Sequence, residues 1–157
     1  IELGQWSEWD LEKSLDWSLL DYEAHQKLNQ LVSDLNSLYR NEPALHQLDF
    51  SYQGFCWVDC SDYMSSVISY LRQGKDNSQV MLIAANFTPV IREGYRLGVP
   101  LEGYWKEIVN TDSQDYGGSN VGNLGGQKSR AIPYHGQPCS VNLTLPPLAL
   151  VILKYQG

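Results

Sequence analysis

Six carboxylates crowd the start of the chain: Glu2, Glu8, Asp10, Glu12, Asp16 and Asp21. Two carboxylates facing each other across a sugar can cleave a glycosidic bond, one as acid and the other as base or nucleophile. That chemistry needs a pair held at a fixed separation, and nearness along the chain does not create one. A solvated acidic face accounts for the cluster. His25, His46 and His135 stand near no obvious nucleophile, and no G-x-S-x-G turn occurs to present a serine. Surface positions or satisfied polar roles account for them. Cys56 and Cys60 are four positions apart in a segment that reads as strand. At about 3.3 Å per residue they lie roughly 13 Å apart, too far to share a metal along a regular strand. With Cys139 the cysteines are odd in number, which speaks against a disulfide framework and for a reducing compartment, here the cytoplasm. No metal and no cofactor is expected.

The stretch NTDSQDYGGSNVGNLGG, residues 110–126, invites a phosphate-binding reading, but its spacing fails. A dinucleotide fingerprint needs G-x-G-x-x-G between strand and helix, and the glycines here are 117, 118, 122, 125 and 126. Gly117 and Gly122 have the gap of a Walker loop, but Asn123 stands where its lysine belongs, and no helical pattern follows. Gly and Asn tolerate positive φ, so tight successive turns are the default. Aromatic residues are more suggestive. Trp57, Tyr95, Tyr104 and Trp105 fall in β segments, where alternation turns some outward. Exposed rings can stack on sugar faces. Binding worth about −4 kcal/mol is only millimolar, so a useful site needs several contacts. Core burial remains the default for any single ring.

The formal net charge of −7 argues against nucleic acid or an anionic membrane as partner, because both need clustered Lys and Arg. No apolar run approaches the roughly 20 residues of a membrane span. NFT at 86–88 and NLT at 142–144 match the glycosylation acceptor pattern, yet both sit beside apolar strands and read as coincidence. The chain opens IELGQ without an initiator Met, as a processed chain or a fragment does.

Two textures meet near residue 42. Leu28, Leu31, Val32, Leu35, Leu38 and Tyr39 recur at helical spacing, which predicts an amphipathic helix over 22–41 that Pro43 ends. A shorter helical turn is expected at 14–20, and Ser7 with Asp10 resembles a weak cap. Beyond residue 50, strands are predicted at 54–60, 66–72, 79–86, 94–97, 104–110, 139–145 and 148–155, separated by turn signals. Short strands with short links imply an antiparallel β-sandwich. The leading helix and Trp6, Trp9 and Trp17 then carry more apolar surface than such a sandwich can cover. Each large side chain left out of a core forgoes about 1.5–3 kcal/mol. Residues 1–42 are therefore expected to lie against a larger neighbouring domain, with residues 43–157 forming the sandwich.

Several phrases, taken together, carry a resemblance: GQWSEWDLEKSLDWSLL, LVSDLNSLYRNEPALHQLD, GFCWVDC, AANFTPVIREGYRLGVP, GYWKEIVNTDSQDYGGSNVGN and SVNLTLPPLALVILK. They resemble, in order and over nearly the whole chain, the C-terminal end of bacterial 1,4-α-glucan (glycogen) branching enzymes. Such enzymes belong to glycoside hydrolase family 13. The resemblance implies a (β/α)8 barrel upstream, with an aspartate nucleophile, a glutamate acid/base and a second aspartate, and a retaining transfer of α-1,4 chains to 6-hydroxyls. It implies that residues 1–42 are the last helices of that truncated barrel and that the sandwich is the α-amylase-family C-terminal domain. At the start, the glycine that usually precedes x-E-F-G-Q is missing and Leu3 stands for Phe, which suits a cut within the barrel. None of the catalytic motifs occurs here, so the chain alone is expected to be inactive. The loop at 117–126 resembles an ordered inter-strand loop of the C-terminal domain. Contacts to α-glucan are expected from Leu15 and Asp16 in SLDW, from Trp57 in GFCW and from Trp105, with the two tryptophans stacking and Asp16 hydrogen bonding to hydroxyls.

Overall fold

In the computed structural model, residues 2–8 and 10–157 are described; Trp9 of the apolar set lies outside them. A 3-10 turn at Trp17–Asp21 leads into helix α1 (Glu23–Asn41), and a short helix α2 (Pro43–His46) follows. Pro43 sits in the first turn of α2, where its missing N–H costs nothing. The cap suggested by Ser7 and Asp10 starts no helix.

All seven predicted strands form: β1 (Phe55–Asp59), β2 (Val67–Gln73), β3 (Val80–Asn86), β4 (Arg92–Val99), β5 (Tyr104–Asn110), β7 (Cys139–Leu145) and β8 (Ala149–Tyr155). An eighth, β6 (Gly126–Lys128), begins at the last residue of the glycine-rich stretch. Six strands make one antiparallel sheet in the order β1-β2-β3-β8-β5-β6, and β4 pairs with β7 in a second sheet.

The core has two parts, and β3 explains why. Every residue of β3 is buried, as expected of a strand covered on both faces. Val80, Leu82 and Ala84 point toward the small sheet and join Leu97, Val99, Val141, Leu143 and Leu145 between the sheets. Met81 and Ile83 point the other way and join Ala44, Val109 and Ile152, with Leu35 and Leu38 of α1 packed over them. The molecule is thus layered: helices, six-stranded sheet, two-stranded sheet.

Packing is therefore continuous across residue 42, and the C-terminal half of α1 is a lid on the large sheet. The segment ahead of α1 differs. Trp6 is 85% exposed, Leu11 82% and Trp17 62%, while Leu3 and Leu19 are buried. Within α1 the only buried residue is His25, whose Nδ1 lies 2.7 Å from the Leu3 carbonyl oxygen.

Candidate functional site

Trp105 does not face solvent. Its ring is wholly buried in the inter-sheet core, 5.5 Å centroid to centroid from Tyr155, and its indole N–H donates to the Leu101 carbonyl. Alternation along β5 sends Trp105 inward, so it cannot stack on a sugar and is removed from the glucan-facing set.

Trp57 is half exposed and stands in a group of rings. Antiparallel register sets it opposite Tyr70 of β2, and Phe55 lies two residues back on the same face. Phe55 and Trp57 meet edge to face at 4.9 Å, Phe55 stacks on Tyr70 at 5.2 Å, and Trp57 meets Tyr70 at 5.8 Å. Tyr70 is anchored in the core beneath the helices. Burial raises the Tyr70 hydroxyl pKa above its ordinary value. The result is a propped aromatic ledge on the edge strand of the large sheet. Sequence reasoning singled out neither Phe55, which the i, i+2 spacing within the predicted strand could have signalled, nor Tyr70, which needs cross-strand register.

Leu15 and Asp16 lie just ahead of the 3-10 turn, both exposed. The Asp16 carboxylate accepts from the Ser18 hydroxyl, and its backbone N–H donates to Gln5 Oε1 at 2.9 Å. Asp16 lines a hollow walled by Trp6, Ser18, Leu19, Tyr22 and His25. Trp6 meets His25 edge to face at 5.4 Å, and Tyr22 meets it at 6.3 Å. Trp6 and Tyr22 are the rings that sequence reasoning did not connect with Asp16. Neither Leu15, Trp57 nor Trp105 lines this hollow.

The glycine-rich loop is ordered by one carboxylate. Asp112 accepts hydrogen bonds from the N–H and hydroxyl of Ser119 (2.9 and 2.7 Å) and from the Val121 N–H (2.9 Å). Burial by itself would raise its pKa, but these donors outweigh burial and hold it below the usual carboxylate value. Asn123 ties the loop's far side to Glu107 and to the Thr144 backbone. Gly117 takes a left-handed turn at φ 89° after a short 3-10 turn, and at Gly118 a side chain would strike the backbone of Asp112. The Tyr116 hydroxyl donates to Asp34 of α1 at 2.8 Å. Burial, then that bond, pushes its pKa up to about 12. The loop is fastened to α1.

Of the early acids, Asp10 and Asp16 make local contacts. Asp10 bonds Lys13, and Glu23 bonds Lys27 at 2.7 Å. Among the described residues no group of three or more His, Cys, Asp or Glu could hold a metal ion. Cys56 and Cys60 are exposed and Cys139 is buried, all as free thiols. Asn86 of NFT is itself buried, bonding the Val90 and Pro146 carbonyls and accepting from Thr88. Among the described residues no helix is long and apolar enough to cross a membrane.

Residues 57–156 match the family described as the alpha amylase, C-terminal all-beta domain. The chain belongs to that family. Similarity to curated proteins reaches further toward the start of the chain. It is 54% identical over 156 residues to the 1,4-alpha-glucan branching enzyme GlgB of Aquifex aeolicus, covering 99% of the chain and 25% of that enzyme. It is 48% identical over 154 residues to GlgB of Trichormus variabilis and 52% identical over 153 residues to GlgB of Pseudomonas fluorescens, covering 98% of the chain and 20% of each enzyme. The chain thus spans a quarter or less of these relatives' length and corresponds to their C-terminal segment. The identity extends through α1 and the segment before it, which the domain family's match does not include.

Proposed function

We propose that this chain works as the C-terminal part of a 1,4-α-glucan branching enzyme, an enzyme that cleaves α-1,4 chains and rejoins them as α-1,6 branches. The catalytic carboxylates belong to a barrel upstream. This part supports the barrel and touches α-glucan at its surface. Residues 1–42 continue the barrel, and their exposed rings face it.

The observation that carries the reading is the pairing of whole-chain identity with exposure. Relatives named branching enzymes match the helical segment as well as the sandwich, and that segment leaves Trp6, Leu11 and Trp17 largely bare. Bare rings of this size favour a partner surface. For glucan, the support is the ledge of Phe55, Trp57 and Tyr70, and the exposed Leu15 and Asp16 ahead of the 3-10 turn. In each, an apolar face stands ready for a sugar ring, and at Asp16 a carboxylate is in reach of hydroxyls. Leu15, 47% exposed, adds apolar surface beside Asp16.

The glucan reading is tested by titrating maltoheptaose to millimolar concentration while following tryptophan fluorescence and backbone amide shifts. Saturating changes at Trp57 or Asp16 support it, and an unchanged spectrum overturns it. A stand-alone carbohydrate-binding or purely structural sandwich is the rival. The exposed aromatic ledge of Phe55, Trp57 and Tyr70 favours the binding reading over the structural one.

A further inference from the structure

A small cavity of about 110 Å3 lies where β6, at the edge of the large sheet, meets the β4–β7 sheet. Its walls are Arg96, Gln127, Lys128, Arg130, Ile132, Ser140 and Asn142, with no acidic side chain among them. The chain carries a net charge of −7 and only 11 Lys and Arg. Three of those cations converge here. Among the described residues the Lys and Arg ion pairs occupy Lys13, Lys27, Arg72 and Lys154, and none engages Arg96, Lys128 or Arg130.

Of these cations, Arg96 is held by its side chain. Arg96 Nε donates to Asn142 Oδ1 at 3.2 Å, and its guanidinium carbon lies 5.8 Å from the centre of the Tyr134 ring. That bond leaves the Asn142 amide NH2 as a further donor. Arg130 and Ser140 exchange two backbone hydrogen bonds, 2.8 and 2.9 Å, which fix the strand beneath the Arg130 side chain. A guanidinium already fixed in place loses less freedom when it takes a ligand. On its other side Arg96 borders a groove containing Asp59, Asp62 and Glu93. Asp59 lies 3.6 Å from His135, and Asp62 accepts from the Tyr95 hydroxyl at 2.6 Å, so two of the three acids are already engaged.

We propose that this cavity is a binding site for a phosphate-class oxyanion, free or carried on a sugar. Arg forks match phosphate oxygens in pairs, lysine adds a point charge, and amide and hydroxyl donors complete the shell. At about 110 Å3 the cavity has room for a tetrahedral anion.

The test is a titration of the 157-residue chain with inorganic phosphate at pH 7, at constant ionic strength set with sodium chloride, read by backbone amide shifts. Saturating shifts centred on Gln127, Lys128, Arg130 and Ser140 are expected. The double variant K128A/R130A removes exposed side chains, and it is expected to keep its circular dichroism and bind phosphate at least about tenfold more weakly. If that variant fails to fold, the single variants K128Q and R130Q carry the same comparison. Tighter binding of glucose 6-phosphate than of phosphate, with none of glucose, identifies a sugar-borne anion; the reverse order identifies the free ion. Shifts that grow linearly and equally with chloride, or an unchanged affinity in the charge-removed variants, overturn the proposal.

Discussion

Trp57 and Trp105 are the same residue type, in strands of the same sheet, with opposite fates. Trp57→Ala removes a half-exposed ring from a ledge, so weaker maltoheptaose binding with little change in melting temperature is expected. Trp105→Ala opens the inter-sheet core and is expected to cost about 3–5 kcal/mol, measured by denaturant unfolding. A large loss of stability in Trp57→Ala would make that ring part of the core. Sequence reasoning placed both tryptophans in strands, and that much was legible. Which face each one took depended on which neighbour covered it, and alternation alone gives two faces without naming the wet one. Asp112 was not singled out at all, because Asx-type turns are common and nothing local marks one as the hub of a loop. Its folded pKa is lowered, so its contribution to stability is present above the unfolded value of about 3.9 and is lost as pH falls through the folded value. The stability gap between the native chain and Asp112→Asn is expected to be constant above about pH 5 and to shrink below about pH 4 in a pH series of urea melts.

Among elements, α1 and the glycine-rich loop form one unit. Their link is the Tyr116–Asp34 hydrogen bond, so Tyr116→Phe is expected to cost about 0.5–1.5 kcal/mol. It should also speed amide hydrogen exchange across residues 112–121. Unchanged exchange there would mean that the loop is held without the Tyr116–Asp34 bond, by Asp112 and Asn123. The helix and all seven predicted strands emerged from periodicity within a few residues of their observed bounds, because long apolar stripes and β-rich runs are strong local signals. β6 escaped, being three residues with a glycine at its start, whose pairing with β5 is a tertiary fact. The helix was expected to face a neighbour outright. Instead Leu35 and Leu38 pack on the outer core cluster that holds Met81 and Ile83 of the sheet, while Trp6 and Trp17 ahead of the helix stay exposed. β3, apolar at almost every position, needed both of its faces covered, and α1 covers the outer one.

At the scale of the whole molecule, the sandwich closes a core of its own, while the leading segment displays rings it has no means to cover. Substituting Trp6 and Trp17 by serine is expected to change the stability of this chain by no more than about 0.5 kcal/mol, as for exposed positions generally. In a longer protein that includes a catalytic barrel, the same pair is expected to cost clearly more, because the proposed docking buries the rings in an interface. Equal small effects in both would remove the docking role. The division of labour itself, with reactive carboxylates in the barrel and support and glucan contact here, is tested most directly by incubating amylose with the 157-residue chain and with the longer protein, and counting α-1,6 linkages by the anomeric proton signals. New α-1,6 signals are expected from the longer protein and none from this chain; branch formation by the purified chain would contradict the proposed division.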